Sequence, residues 1–358
     1  MKHKLVTQQE LSSLVSELLA ANTRVIAPVR AQDDANQVDY APIARWEDAT
    51  FEQSLPRRSM KEFFLPVTEV LLHYRQTKEG VEIREVPTQA QPQVIFSGSP
   101  CDAAGAAVVD KVMNWDYRDE LLFGRREATT VVSFLCAVMD ASCFCTAVGL
   151  GPDSPKGSDV LLAPVEGGYV AHLLTEKGEA LLARCGREAT DNEVAAAEAA
   201  QHEARRKVEG NLAALPAEFS GWLQKNFVNP VWSTLALRCH GCGACASICP
   251  TCHCFDIVDE HETSDEGVRR RNWDSCQTSL FTLHASGHNP RASQTERFRQ
   301  RVQHKFSVYP ARFGETLCTG CGRCSRACPG GMDLPAILSE LVALAESEAH
   351  SENKVSGQ

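Results

Sequence analysis

The chain has 358 residues, of which 43% are hydrophobic and 23% are charged, as in globular proteins with two or three domains. Its net charge of −10 argues against a general nucleic-acid-binding protein. No apolar run is long enough for a membrane span, and the first residues lack the apolar core of a signal peptide. Sixteen cysteines without an export signal predict a cytoplasmic protein whose thiols bind metal instead of forming disulfides.

The N-terminal part of the chain alternates helical segments with apolar, β-branched runs. Thr7 and Glu10 form a capping-box pattern at the start of an amphipathic helix. A strand is predicted next, then irregular polar sequence to about residue 60, and then further strands with a helix over residues 102–113. The predicted strands cover residues 24–29, 93–97, 129–135, 159–165 and 169–174. This alternation predicts an α/β domain over residues 1–188.

The remainder of the chain predicts a helical bridge and a cysteine-rich second domain. Residues 189–230 are rich in helix formers and predict a linker of one or two helices, interrupted near Pro216. The second domain covers residues 231–345, and Asp333 is the predicted N-cap of its last helix. Residues 346–358 are polar and predicted to be disordered. The predicted fold class is therefore mixed, α+β or α/β, with a helical bridge between the domains.

Two cysteine runs in the second domain share one spacing, C-x2-C-x2-C-x3-C-P. This run holds cubane iron–sulfur clusters in bacterial ferredoxins, where the fourth cysteine of each run ligates the other cluster. Zinc ribbons instead use two separated cysteine pairs. The sequence therefore predicts a ferredoxin-like domain with two [4Fe–4S] clusters. One is bound by Cys239, Cys242, Cys245 and Cys328, and the other by Cys318, Cys321, Cys324 and Cys249.

A long insertion between the runs carries three more cysteines, Cys252, Cys254 and Cys276. Asp274 or His253 is a candidate fourth ligand beside them. These thiols either hold a third cluster or pack beside a cube and donate weak hydrogen bonds, and the sequence leaves both alternatives open.

A basic stretch closes the insertion. Its positive charges are expected to offset the negative charge of reduced clusters or to be solvated. Binding to an acidic partner or to a nucleotide phosphate is the less favoured interpretation. The stretch contains Arg297, Arg299, Arg301, His304 and Lys305.

Several segments of the C-terminal half resemble a known family. The strings CPTCHCFDIVDE, RRRNWDSC, HASGHNPR and CTGCGRCSRACP look like those of the iron–sulfur β subunit of soluble multisubunit [NiFe] hydrogenases (sulfhydrogenases). They are also similar to the A subunit of anaerobic sulfite reductase. The resemblance is strong over residues 235–335 and weaker over the N-terminal half. It implies a subunit that relays electrons between a flavin subunit handling NAD(P)H and a catalytic redox subunit.

Four cysteines of the N-terminal half lie at the ends of predicted strands or shortly after them. They are Cys101, Cys136, Cys143 and Cys145, and their PCDA and CFC surroundings also look like those of the hydrogenase β family. At the tips of neighbouring strands the four could converge on a third cluster, although cysteines at strand ends are often buried apolar residues. Cys185 stands alone and is predicted to be inert.

No motif for independent catalysis is present in the sequence. The glycines at 149 and 151 lack the following helix start that a dinucleotide-binding loop needs. We therefore expect an electron-transfer subunit of an oxidoreductase complex, without nucleic acid and without a membrane span of its own. The alternative is a redox enzyme in which the N-terminal α/β domain binds its own flavin or other small cofactor.

Overall fold

The computed structural model describes residues 2–51 and 54–356, with side chains described as far as residue 351. Its strands, in chain order, are β1 Lys2–Val6, β2 Arg24–Arg30, β3 Val38–Pro42, β4 Thr68–Gln76, β5 Val81–Glu85, β6 Gln93–Ser97, β7 Thr129–Phe134, β8 Val160–Val165, β9 Gly168–Leu173, β10 Arg187–Glu188, β11 Phe255–His261 and β12 Glu266–Trp273.

Helices surround the strands, and the chain ends in the longest of them. They are α1 Gln8–Ala20, α2 Pro100–Met113, α3 Glu120–Glu127, α4 Glu176–Leu181, α5 Asp191–Glu209, α6 Phe219–Lys225, α7 Val231–Leu235, α8 Ala244–Ser247, α9 Gln294–Gln303, α10 Tyr309–Phe313, α11 Arg323–Arg326 and α12 Leu334–Ser356. A π-helical turn, His304–Val308, joins α9 to α10. The predicted mixed α/β character is confirmed, and each strand predicted from the sequence forms within one residue of its expected bounds.

The large sheet has eight strands in the order β10-β1-β9-β8-β7-β6-β2-β3. Its centre, from β2 through β6 and β7 to β8, is parallel, so the carboxyl ends of these strands meet at one edge. Helix α1 covers one face, and its predicted capping box is present: the Thr7 amide donates to Glu10 at 2.8 Å, and the Glu10 amide donates to Thr7 at 3.2 Å. Buried Leu11, Trp46 and Phe96 belong to the core beneath it.

The small sheet joins distant parts of the chain. Its order is β11-β12-β4-β5, so the insertion hairpin β11–β12 pairs with the β4–β5 hairpin of the N-terminal half. Glu69 on β4 and Arg271 on β12 form a buried ion pair, with 2.8 Å between Nε and Oε1. The predicted domains 1–188 and 231–345 therefore share one sheet. The sequence analysis missed this because pairing between strands so far apart leaves no local periodicity.

The predicted helical bridge is interrupted where Pro216 lies, between α5 and α6, as expected. It also belongs to the cores on both sides. Ala197 of α5 packs on the large sheet, and Phe219 and Leu223 of α6 pack into the C-terminal core. Pro216 lacks the N–H that a continuous helix would need, and it therefore favours the break.

The final helix is longer than predicted. Asp333 accepts a hydrogen bond from the Ala336 amide at 3.4 Å, as its N-cap role requires. The helix then continues through Ser356, so the prediction of disorder from residue 346 is wrong for residues 346–356. Helix-forming Ala and Glu residues favour this extension of α12, and Glu348 accepts a hydrogen bond from the Trp222 indole at 2.7 Å.

Candidate metal centre

The first cysteine run forms a tight loop between α7 and α8. Gly241 and Gly243 have left-handed φ values of +68° and +75°, which glycine adopts without steric cost. Cys239 and Cys242 lie in the loop and Cys245 lies in α8, and the three thiols line a common space. Cys249 follows α8 and is buried, and Pro250 then turns the chain away.

The second run repeats this backbone. Gly320 and Gly322 have φ values of +63° and +68°, and α11 carries Cys324. Gly320 also leaves no room for a side chain, because a Cβ there would lie 2.5 Å from the backbone nitrogen of Cys145. The two loops therefore have the same conformation. Each ends in a short helix, and the two helices pack against each other.

The fourth cysteine of each run lies close to the thiols of the other run. Cys239, Cys242, Cys245 and Cys328 line one cavity, together with Cys324 of the second run. Cys249, from the first run, lies among the thiols of the second. Burial raises the pKa of Cys318 to about 12; Lys305 opposes this shift, and the nearby sulfurs of Cys249 and Cys324 add to it. Each loop thus meets the fourth cysteine of the other.

The donor set suits a cluster better than a single ion. In the part of the chain that the structure describes, no three His, Cys, Asp or Glu side chains converge closely enough for one metal ion. Four thiols around an open cavity are what a cubane cluster requires, because its ligand sulfurs bind separate irons. The Gln294 amide also donates to Cys239 Sγ at 3.2 Å, and hydrogen bonds of this kind tune cluster potentials.

Comparison with known proteins agrees with this geometry. Residues 238–332 match the family model described as a 4Fe-4S dicluster domain. This segment, called the dicluster domain from here on, is similar to domains that bind two 4Fe–4S clusters. The two runs and the insertion between them all lie inside the matched range.

The dicluster domain accounts for only part of a longer similarity. The chain is 29% identical over 291 residues to sulfhydrogenase 2 subunit beta of Pyrococcus furiosus, covering 78% of this chain and 82% of that subunit. The resemblance to the sulfhydrogenase β subunit that the sequence predicts is confirmed. No solved structure matches the chain. Among the described residues, no helix is long and apolar enough to cross a lipid bilayer.

The insertion places its three cysteines beside the dicluster loops. Cys252, Cys254 and Cys276 line one small cavity. A contact with Cys254 lowers the pKa of Cys276 to about 6. Asp274 does not join them there: its carboxylate accepts from the Ser275 amide at 2.6 Å, and it faces an open cleft that it shares with Cys252 and Cys254.

The basic stretch is divided between the interior and the surface. Arg301 and Lys305 are buried, at 6% and 2% exposure. The Lys305 ammonium lies 3.3 Å from Cys249 Sγ, where it opposes the charge of a thiolate. Arg299 instead lies over the ring of Phe227, and Arg297 donates to backbone carbonyl groups. The expectation that these charges offset negative clusters therefore fits two of the residues and not the whole stretch.

The N-terminal cysteines meet at the carboxyl edge of the large sheet. Cys101 follows β6 at the start of α2, and Cys136 follows the neighbouring parallel strand β7. Cys143 and Cys145 lie in the next loop, where burial raises the pKa of Cys145 to about 12. That loop contacts the second run directly, because the Phe144 amide donates to the Gly320 carbonyl at 2.7 Å. Cys185 lies apart, in the core under α1.

A buried ion pair that the sequence analysis missed joins the sheet to the dicluster domain. Arg323 Nη2 lies 2.7 Å from Asp102 Oδ2, and both residues are almost fully buried. Tyr40 donates to the same carboxylate oxygen at 2.8 Å. Arg323 Nη1 has no hydrogen-bond partner among the described residues, although Cys101 and Cys321 lie close to the guanidinium. No local signal could have paired residues so distant in sequence.

The glycines at 149 and 151 do not form a dinucleotide-binding loop. Gly149 ends a 3-10 turn, Thr146–Val148, with φ +77°, and the next regular element is the strand β8. A phosphate-binding loop of that type opens a helix instead. This geometry gives no support to a nucleotide cofactor at this position.

Proposed function

We propose that the chain is an electron-transfer subunit that relays electrons between a subunit handling flavin and NAD(P)H and a catalytic subunit of hydrogenase or sulfite reductase type. The observation that carries the proposal is that Cys328 lies with the thiols of the first run and Cys249 near those of the second, an exchange between the two loops. The exchange makes the two thiol sets neighbours, with Cys324 touching both. Bound [4Fe–4S] clusters would supply one-electron chemistry, and their adjacency permits transfer between them.

The protein's own residues hold and adjust these sites. Cys239, Cys242, Cys245 and Cys328 would ligate one cluster, and Cys318, Cys321, Cys324 and Cys249 the other. Glycines at the left-handed positions keep side chains out of both loops. The buried Lys305 ammonium near Cys249 favours the more negative, reduced state, and so would raise the potential at that site.

We extend the proposal to the N-terminal cysteines. Cys101, Cys136, Cys143 and Cys145 would hold a further cluster, and the unpartnered Arg323 nitrogen beside them supports an anionic occupant. Replacing Cys136 with alanine should then remove about four irons per chain from anaerobically purified protein. Cys185→Ala, at a buried thiol of the same half, is the matched control and should lose none. Equal iron contents in the two variants would reject this site and leave the dicluster proposal intact.

The relay is tested on the native assembly. The tagged chain, purified anaerobically from its own cells, should carry partner subunits with a flavin spectrum, and NAD(P)H should bleach the cluster absorption. Reduced protein should also give an electron paramagnetic resonance spectrum broadened by magnetic interaction between neighbouring clusters. A chain that purifies without flavin, or clusters that NAD(P)H cannot reduce, would contradict the relay. Two magnetically isolated clusters would contradict the crossed arrangement.

A further inference from the structure

The small cavity lined by the insertion combines soft ligands with uncompensated positive charge. Three thiols face it, those of Cys252, Cys254 and Cys276, and so do the side chains of Arg301 and Lys305. It lies beside the second thiol set, because Cys252 contacts Cys249. Neither site already described uses these three cysteines.

Three buried cations surround this group of thiols without a carboxylate partner. Lys61, Arg301 and Lys305 are at most 6% exposed, and in the described part of the chain none forms an ion pair. Lys61 donates to the Cys252 carbonyl at 2.7 Å and lies 3.8 Å from the centre of the Trp273 ring. Removing an isolated cation from water costs several kcal/mol, roughly, so three together require a buried anion.

Arg301 indicates where that anion belongs. Its Nε and Nη2 atoms are buried and have no hydrogen-bond partner among the described residues. The side chain lines both the small cavity and the first dicluster cavity. A guanidinium aimed at such a space, with three of its five N–H donors unused, fits thiolates and the sulfides of a cluster better than an apolar void.

A histidine in the same cavity has the arrangement of a ligand. His253 Nδ1 lies 3.0 Å from the Thr251 carbonyl oxygen, and that contact requires the proton on Nδ1. Nε2 is then left with a lone pair, which is the tautomer that binds metal. The ring of His304 packs against it edge-on, with 5.5 Å between centroids. The carboxylate of Asp274, the other candidate ligand, already accepts hydrogen bonds from the Ser275 amide and the Thr278 hydroxyl in its own turn.

We propose that this cavity holds a further iron–sulfur cluster, ligated by Cys252, Cys254 and Cys276 through sulfur and by His253 through Nε2. Lys61, Arg301 and Lys305 supply the compensating charge. The site itself does not depend on the proposed relay; only its role as an additional electron carrier beside Cys249 rests on that function. Ligation by histidine places one nitrogen on a site otherwise built from thiolates, as happens in other iron–sulfur centres.

Iron content tests the sulfur ligands. Cys254→Ala and Cys276→Ala should each lose about four irons and four sulfides per full-length chain relative to the wild type. Asp274→Asn, adjacent in sequence but outside the cavity, should lose none. Unchanged iron in both cysteine variants would overturn the site. The dicluster signals should persist in every variant, so failure here is separable from failure of the proposed relay.

Hyperfine spectroscopy tests the nitrogen ligand without relying on a variant that folds. The reduced wild-type protein should show a strongly coupled nitrogen, which changes from the ¹⁴N to the ¹⁵N pattern when histidine alone is isotopically labelled. His253→Cys should retain its iron and lose that coupling. His304→Gln should keep the coupling, because that ring only packs against the ligand. Absence of a histidine coupling in the labelled wild type would refute ligation by His253.

Discussion

The small sheet depends on a buried carboxylate, and its removal gives the sharpest test of how the two halves of the chain are joined. Glu69 on β4 is 7% exposed and accepts from Arg271 of β12 and from Arg125 of α3, the latter at 2.8 Å. Arg271 also reaches Asp119. In the Glu69→Gln variant the amide is nearly the same size, so packing is retained while the negative charge is lost.

The expected cost follows from the burial of the charges. Removing one member of a buried ion pair costs about 3–5 kcal/mol, because the remaining charge stays desolvated. Arg271 keeps Asp119, which places the expected value near the lower limit. With an unfolding entropy of about 2.1 cal/mol/K per residue, 358 residues give roughly 0.75 kcal/mol/K. The melting temperature should therefore fall by about 4–7 °C if the chain unfolds as one unit.

Thermal unfolding followed by circular dichroism under anaerobic conditions measures this change. Glu85→Gln, on the exposed strand β5 of the same sheet, is the matched control and should move the melting temperature by about 1 °C or less. Equal melting temperatures for the two variants would refute the view that Glu69 compensates buried arginines. A separate low-temperature transition in Glu69→Gln would mean that the small sheet unfolds independently.

Three further predictions concern other parts of the molecule. Cys249→Ala should damage the cluster signal of the second run and spare the first, as resolved by electron paramagnetic resonance; the reverse pattern would reject the crossed ligands. Gly320→Ala should lower cluster content, because its Cβ would meet backbone at 2.5 Å, whereas Gly149→Ala has a similar φ and open space and should not. Burial lowers the pKa of His172 in the folded protein, so this side chain binds a proton more tightly in the unfolded chain. The free energy of unfolding should therefore fall as the pH drops below 6.5. The urea unfolding midpoint should therefore decrease between pH 7.5 and pH 5.5. This decrease should be smaller in His172→Gln than in His202→Gln, whose histidine is exposed. An equal decrease in both variants would exclude His172 as its source.

Local sequence patterns predicted the secondary-structure elements and the candidate cluster ligands. The capping box at Thr7, the parallel strands from residue 93 onwards and the interruption at Pro216 all follow from propensity and periodicity within a short window. The similarity to dicluster domains was equally legible, because the thiol spacing on each glycine loop predicts three sulfurs for one cube. These features depend on neighbours within about a dozen residues along the chain.

Tertiary structure alone decided which distant residues meet. Strand β12 finds β4, Arg323 finds Asp102, and Lys61 enters a group of thiols near residue 252; in each case the partners are far apart in sequence. A single residue in an irregular segment carries no periodic signal of such a contact. Likewise, the sequence offered both Asp274 and His253 as a fourth ligand beside the insertion cysteines. In the folded chain the Asp274 carboxylate accepts hydrogen bonds within its own turn, whereas His253 keeps the lone pair of Nε2. Buried charge must be balanced in space, and that balance is set by the packed chain rather than by residue order.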